Sequence, residues 1–194
     1  MRAGSAALEP IDADLRPVLV ADCVRGDSAA WRSLHREYYP IAVAFLRKLG
    51  VSGSDVEDAA QEVFIETYRH LGGFRGDAQL KTWLYRLCIT QARYARRRRA
   101  LTTAFRKLLE REPEDALGSG PFCEQRAGRR IELALRQLSE KERTALVLYE
   151  LEGLPGKQVA EILGCKEATL WRRLHYARQK FLAIFESSTL GGPV

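Results

Sequence analysis

Between Asp27 and Phe45 the apolar residues Trp31, Leu34, Tyr38, Ile41 and Phe45 return at steps of three and four, and nearly every later segment repeats that spacing. A half-buried strand would need strict alternation instead, so the pattern confines the chain to helices that each bury one stripe. The punctuation agrees. Asp27, following Gly26, is a candidate N-cap, and Gly50 closes the helix that it opens. Ser54 with Glu57 reads as a capping box for a second helix, whose inner face is Val56, Ala60, Val63, Phe64 and Leu71. Gly72 and Gly73 stop it.

The next helix holds the stretch TWLYRLCITQARYARRRR, with Asp77 as its cap. Leu80, Leu84, Leu87, Cys88 and Ala95 form one side, while Lys81, Tyr85, Arg86, Arg93 and Arg96 form the other. The first side anchors the helix in a bundle and the second presents charge. Trp83 falls at core spacing rather than on an exposed stacking surface. Residues 112–126, EPEDALGSGPFCEQR, mix proline, glycine and acidic residues without a period and read as a linker. A second helical domain opens near Arg129, with Ser139 and Glu142 as another capping box before a helix ending near Glu152. The expected fold class is therefore all-α, two small helical domains joined by a flexible linker.

Within that second domain, KQVAEILGCKEATLWRRLHYAR gives a short amphipathic helix with Val159, Ile162 and Leu163 inward, then Gly164 as a left-handed turn. A longer helix follows with Leu170, Leu174, Ala177 and Phe181 inward. Helix, short turn, helix is the plan in which the second helix enters a DNA major groove. Its outward residues Thr169, Arg172, Arg173 and Tyr176, with Lys166 before them and Arg178 at the far end, are candidate contacts. Arginine pairs bidentately with guanine edges, while threonine and lysine hold phosphates.

Charge narrows the partner. The formal +6 is uneven: residues 1–66 hold 7 Lys/Arg against 11 Asp/Glu, residues 67–111 hold 12 against 2, and residues 112–194 hold 12 against 12. A cationic block centred on the arginine run, with no lipid-anchoring apolar face beside it, points to nucleic acid. The N-terminus has no apolar run long enough for a signal peptide and no segment approaches a membrane span, so the expected location is the cytoplasm. Cys23, Cys88, Cys123 and Cys165 lie far apart without a metal-ligand spacing and read as reduced thiols, Cys88 as packing. His35, His70 and His175 are isolated, and no glycine-rich phosphate loop or clustered carboxylate site is present, which argues against an enzyme and against any metal, cofactor or small-molecule substrate.

Two blocks, DVEDAAQEVFIETYRHLGGFRGDAQLKTWLYRL and LRQLSEKERTALVLYELEGLPGKQVAEILGCKEATLWRRLHYARQKF, appear in this order on either side of the arginine run and the linker. Over about Ser28 to Phe181 the chain resembles the bacterial extracytoplasmic-function sigma factors of the sigma-70 family. That resemblance implies sigma region 2 in residues 12–111, the linker in 112–126, sigma region 4 in 127–186 and a disordered tail in 187–194. It also implies three partners: core RNA polymerase, promoter DNA and an anti-sigma factor.

By the same resemblance Asp58, Gln61 and Glu62 dock on the polymerase, while Asp55 and Glu57 serve equally well as capping-turn carboxylates. Arg75, Asp77, Gln79, Lys81, Thr82, Tyr85, Arg86, Arg93, Arg96 and Arg97 would capture and hold the opened minus 10 strand, the arginine run to Arg99 lying on the backbone. Region 4 would read the minus 35 duplex. Departures from the family pattern occur at Leu87 to Thr90, at Pro155 and Gly156, at Ala168 to Leu170, and at Trp171, where a small basic or polar residue is usual. A stand-alone helix-turn-helix regulator, binding a palindrome as a dimer, is the alternative. It accounts for residues 139–185 and leaves the N-terminal block without a role.

Overall fold

The computed structural model describes residues 16–74, 79–109 and 124–190, and every regular element among them is helical. The first unit is α1 (Arg16–Val24), α2 (Ser28–Lys48), α3 (Asp55–His70) and the long α4 (Leu80–Leu109), with a 3₁₀ turn at Leu71–Gly73. The second is α5 (Glu124–Gln137), α6 (Glu140–Leu146), a π-helical turn at Val147–Leu151, α7 (Gly156–Ile162) and α8 (Glu167–Leu190). α8 thus runs into the segment expected as a disordered tail, and α5 begins within the expected linker. Asp77 and Cys123 lie outside the described residues.

Most helix boundaries follow the predicted chemistry. Asp27 caps α2 by accepting the Ala29 amide at 2.7 Å, and Gly50 leaves it with a φ of 86°. Ser139 and Glu142 form the full capping box, the serine hydroxyl accepting from the Glu142 amide and the carboxylate accepting from the Ser139 amide at 3.0 Å. The box expected at Ser54 does not form. Ser54 adopts helical dihedrals, φ −62° and ψ −24°, and makes no side-chain cap bond. A capping side chain reaches back only from extended backbone, so α3 is entered instead through the Val56 amide on the Gly53 carbonyl at 3.3 Å. Ser139→Ala is therefore expected to cost about 1 kcal/mol and Ser54→Ala less than about 0.5 kcal/mol. Equal losses for the two in urea unfolding would refute the distinction.

The predicted inner faces of α2 and α3 are buried at Leu34, Tyr38, Phe45, Val56, Ala60, Val63, Phe64 and Leu71. α4 departs from expectation. Besides Leu80, Leu84, Cys88 and Ala95 it also buries Thr82, Tyr85, Ile89 and Ala92, and Leu87 is only partly covered. Tyr85, expected on the charged side, is enclosed between the units: its ring lies 4.2 Å from that of Phe45 on α2, and its hydroxyl donates to Glu152 of the second unit. Buried apolar residues of both units, Ala134 apart, form one connected cluster, reaching from Leu34 through Leu84 to Leu148 and Leu174. Two-sided burial accounts for the extra apolar positions on α4.

Cys23 and Cys88 are buried free thiols. Burial, with Asp22 and Asp27 nearby, pushes the Cys23 thiol up to about 11, and burial raises Cys88 as well. Both remain protonated near neutrality and neither is poised as a nucleophile.

Candidate nucleic-acid interface

The second unit builds a helix-turn-helix. Gly164 takes a φ of 60°, and the Cys165 amide reaches back to the Ala160 carbonyl at 3.0 Å, so α7 ends in a left-handed turn that launches α8. Leu170, Leu174 and Ala177 are fully buried and fix the rotation of α8 about its axis. Lys166, Arg172, Tyr176 and Arg178 then face solvent, with Thr169 and Arg173 half-buried. Arg178 is engaged within the protein: it pairs with Glu150 at 2.6 Å and lies over the Tyr149 ring. Among the described residues Lys166, Arg172 and Arg173 have no ion-pair partner.

The cationic side of α4 is paired with acidic residues of the second unit, although Arg86 and Arg93 remain exposed. The π turn carries the chain to Glu152, whose carboxylate accepts from Lys48 at 2.7 Å and from the Tyr85 hydroxyl, with Lys81 at 3.6 Å. Thr82 accepts from the Gln158 amide at 2.9 Å. Arg86 faces Glu161 at 3.4 Å, and Arg93 and Arg96 share Glu140, the latter at 2.8 Å. Seven residues expected on the minus 10 strand are thus described as follows: Lys81, Thr82, Tyr85, Arg86, Arg93 and Arg96 face the second unit, and Gln79, exposed, receives the Thr82 and Trp83 amides on its carbonyl. Arg97 is also exposed. Arg75 and Asp77 lie outside the described residues.

The electrostatics follow the packing. Burial pushes the Glu152 carboxyl up, but hydrogen bonds from Lys48 and Tyr85 and the charges of Lys48 and Lys81 outweigh it and hold the group below the usual range. Burial, then the bond to Glu152, drives the Tyr85 hydroxyl far up, so it stays a donor. Arg96 is lowered by burial, against the pull of Glu140.

On α3 the residues Asp58, Gln61 and Glu62 are exposed along one stripe. Asp58 shares Arg98 with Asp55, at 3.2 and 2.8 Å. The stripe continues into Ile65 and Tyr68, which are 41% and 66% exposed. No cluster of potential metal ligands occurs among the described residues, and no helix among them is long and apolar enough to cross a membrane.

Residues 34–102 match the family model for sigma-70 region 2, and residues 128–181 match that for sigma-70 region 4. The chain is 33% identical over 175 residues to the ECF RNA polymerase sigma-E factor of Escherichia coli, covering 84% of this chain and 90% of that one. The chain belongs to the extracytoplasmic-function sigma factors of the sigma-70 family. It is also 32% identical to the RNA polymerase sigma-H factor of Pseudomonas aeruginosa, over 83% of this chain and 89% of that protein.

The fold of this sigma factor is similar to two solved complexes. One is CnrH with the cytosolic domain of CnrY, at a TM-score of 0.63 and 23% identity over 88% of this chain and 96% of that one. The other is the sigma factor RpoE with the anti-sigma factor NepR from Bartonella quintana, at 0.64 and 21% over 80% and 96%. As an alternative sigma factor the protein directs transcription initiation; its family consists of initiation factors without enzymatic activity.

Two features of the sigma factor were missed by reading the sequence. Ile65 and Tyr68 extend the α3 stripe, and their signal was available: both are apolar yet fall off the Val56, Ala60, Val63 face. Glu140, Glu152 and Glu161 form the acidic counter-surface to α4, and no local pattern marks them, because their partners stand 44 to 104 residues away in the chain.

Proposed function

We propose that this sigma factor binds core RNA polymerase through the α3 stripe of Asp58, Gln61, Glu62, Ile65 and Tyr68. Residues 127–186, as region 4, read the minus 35 duplex with Lys166, Thr169, Arg172, Arg173 and Tyr176, Arg178 joining once it leaves Glu150. Residues 12–111, as region 2, hold the opened minus 10 strand with Gln79, Lys81, Thr82, Tyr85, Arg86, Arg93, Arg96 and Arg97, together with Arg75 and Asp77. The protein works in the cytoplasm, without cofactor or catalysis of its own, and is restrained by an anti-sigma factor.

One observation carries the reading: Lys81, Arg86, Arg93 and Arg96 on α4 each face a carboxylate of the second unit. Glu140, Glu152 and Glu161 stand where an approaching phosphate backbone would have to stand. The chain therefore has to part its two units before α4 can hold a strand, and a partner docked on α3 drives that opening only by binding the parted form more tightly than the closed one.

Incubation of the purified chain with bacterial core polymerase, followed by run-off transcription on a genomic promoter library, tests the whole assignment. Selective initiation from a shared two-part element is the expected outcome. Failure to bind core, together with tight binding to a palindromic duplex, would replace it with the dimeric regulator. Arg172→Ala and Arg173→Ala are each expected to remove roughly 1–3 kcal/mol of minus 35 binding. Unchanged promoter affinity in both would displace the assignment of α8.

A further inference from the structure

Trp171 stands on the N-terminal half of α8, between the buried Leu170 and the exposed Arg172, and is itself 43% exposed. Its ring is fixed from two directions. Tyr149 meets it edge-on, with centroids 5.4 Å apart and planes at 83°. The benzo edge rests on the start of α7: a Cβ at Gly156 would lie 2.7 Å from Cζ2 and 2.9 Å from Cη2, so the seat exists only because residue 156 has no side chain.

The ring has one polar atom, Nε1–H, and no group among the described residues accepts from it. Trp31 shows the ordinary outcome, donating to the Cys23 carbonyl at 2.9 Å. A buried indole usually finds a protein partner for its N–H, whereas Trp171, 43% exposed, keeps its donor open to an acceptor from outside. Around Trp171 the exposed cations Lys157, Lys166 and Arg172 are likewise without ion pairs among the described residues. A rigid donor with no internal acceptor, beside three unpaired cations that outnumber the exposed Glu167 at the start of α8, is arranged for an anion that arrives from outside.

The helix-turn-helix supplies that anion, because its first helix crosses the DNA backbone while its second enters the groove. Trp171 sits where α8 meets the beginning of that first helix. We propose that Trp171 donates its Nε1–H to a backbone phosphate of the minus 35 duplex, and that Gly156 is the positioning residue that makes room for the ring. The phosphate is favoured over a base edge because the indole is held back against α7 rather than free to reach into the groove, and backbone contacts are what such flanking donors make. The inference rests on the DNA-reading role of α8 given above.

The test uses the full chain assembled with core polymerase and the promoter fragment recovered from the run-off selection, with each phosphate of the upstream element replaced in turn by a neutral methylphosphonate. One replacement is expected to weaken the wild-type complex about tenfold, the scale of one hydrogen bond to a charged group. Trp171→Phe keeps an aromatic ring and loses the donor. It is expected to bind the unmodified fragment about tenfold more weakly and to be indifferent to that same replacement.

Gly156→Ala should reproduce the loss by displacing the ring, and the double variant should bind no more weakly than either single one. Because each variant is compared with itself across replacements, a general loss of folded protein cannot imitate the pattern. A Trp171→Phe chain that responds to every methylphosphonate as the wild type does overturns the proposal. So does a loss that follows a base pair, removed by exchanging thymine for uracil, since the contact would then be to a thymine methyl. Arg172→Ala in the same assay separates the two readings. If it weakens binding and Trp171→Phe does not, the inference about Trp171 fails alone; if neither does, the DNA role of α8 falls with it.

Discussion

Replacing Arg143 with alanine is expected to cost about 3–5 kcal/mol of folding stability, the range seen when several buried polar groups lose a partner together. Arg143 is 6% exposed, and its guanidinium uses four donor contacts on four main-chain carbonyls: Nε on Leu135 at 2.6 Å, Nη1 on Leu49 at 2.8 Å, and Nη2 on Arg136 at 2.7 Å and Leu138 at 2.9 Å. Three of these acceptors end α5 and the fourth ends α2, so one side chain caps the C-termini of helices from both units. Helix ends leave their last carbonyls without partners, and the negative end of each helix dipole favours a cation there.

That arrangement explains how a buried arginine is tolerated with no carboxylate bonded to it. Burial, then repulsion from Arg96, lowers its pKa to about 10, which leaves it charged at neutral pH. Gly50 belongs to the same device, since it turns at a φ of 86° and a Cβ there would lie 3.1 Å from the arginine Cζ and closer still to Nη1. Lysine cannot replace the planar fork, so Arg143→Lys should recover little of the loss. Arg136→Ala is the control: it removes an exposed pair with Glu132 and should cost about 0.3–0.5 kcal/mol. Urea unfolding followed by circular dichroism gives all three values, and a loss under about 1 kcal/mol for Arg143→Ala would refute the capping role.

What was legible in the sequence was what neighbours along the chain decide. The stripes of α2 and α3, the box at Ser139, the turn at Gly164 and the inward residues of α8 depend on contacts within a few turns, and each was found where the spacing put it. The Ser54 box failed because the motif specifies side chains, whereas a cap also needs extended backbone, which the positive φ of Gly53 and the helical Ser54 do not supply. Tyr85 was placed on the wrong side for a different reason. Helical periodicity assigns one buried face, and α4 has a second, met by residues 44 or more positions later, Glu152 standing 67 beyond Tyr85.

The candidate site divides along the same line. The exposed set on α8 could be derived from helix geometry alone, because its opposite face is filled by Leu170, Leu174 and Ala177. The cations of α4 could be seen as charges but not as partners of Glu140, Glu152 and Glu161. Nothing in the sequence says that Arg96, which opens the arginine run, and Arg93 before it are already paired with Glu140. Arg143, likewise, reads as one more surface charge of a capped helix until Leu49 is brought beside it.

Converting Glu152 to glutamine is expected to loosen the two units, at a cost of about 2–4 kcal/mol to their contact, because Lys48 and Lys81 keep their charges and lose the carboxylate that faces them. The Glu152 side chain is 9% exposed, so water does little to replace it. Scattering should report a radius of gyration above the roughly 16 Å expected of a compact chain of this length, and the freed Lys81, Arg86 and Arg93 should raise affinity for single-stranded DNA at low salt. The pH dependence has a fixed sign. The folded carboxyl titrates below its ordinary value of 4.5, so its contribution is complete above that value and is lost only as pH falls through the depressed one. The wild-type contact should therefore be flat across neutrality and weaken in acid, where the variant should show no further change from this group. A variant that remains as compact as the wild type and binds single strands no better would mean that Arg143 and the shared apolar core hold the units together without Glu152.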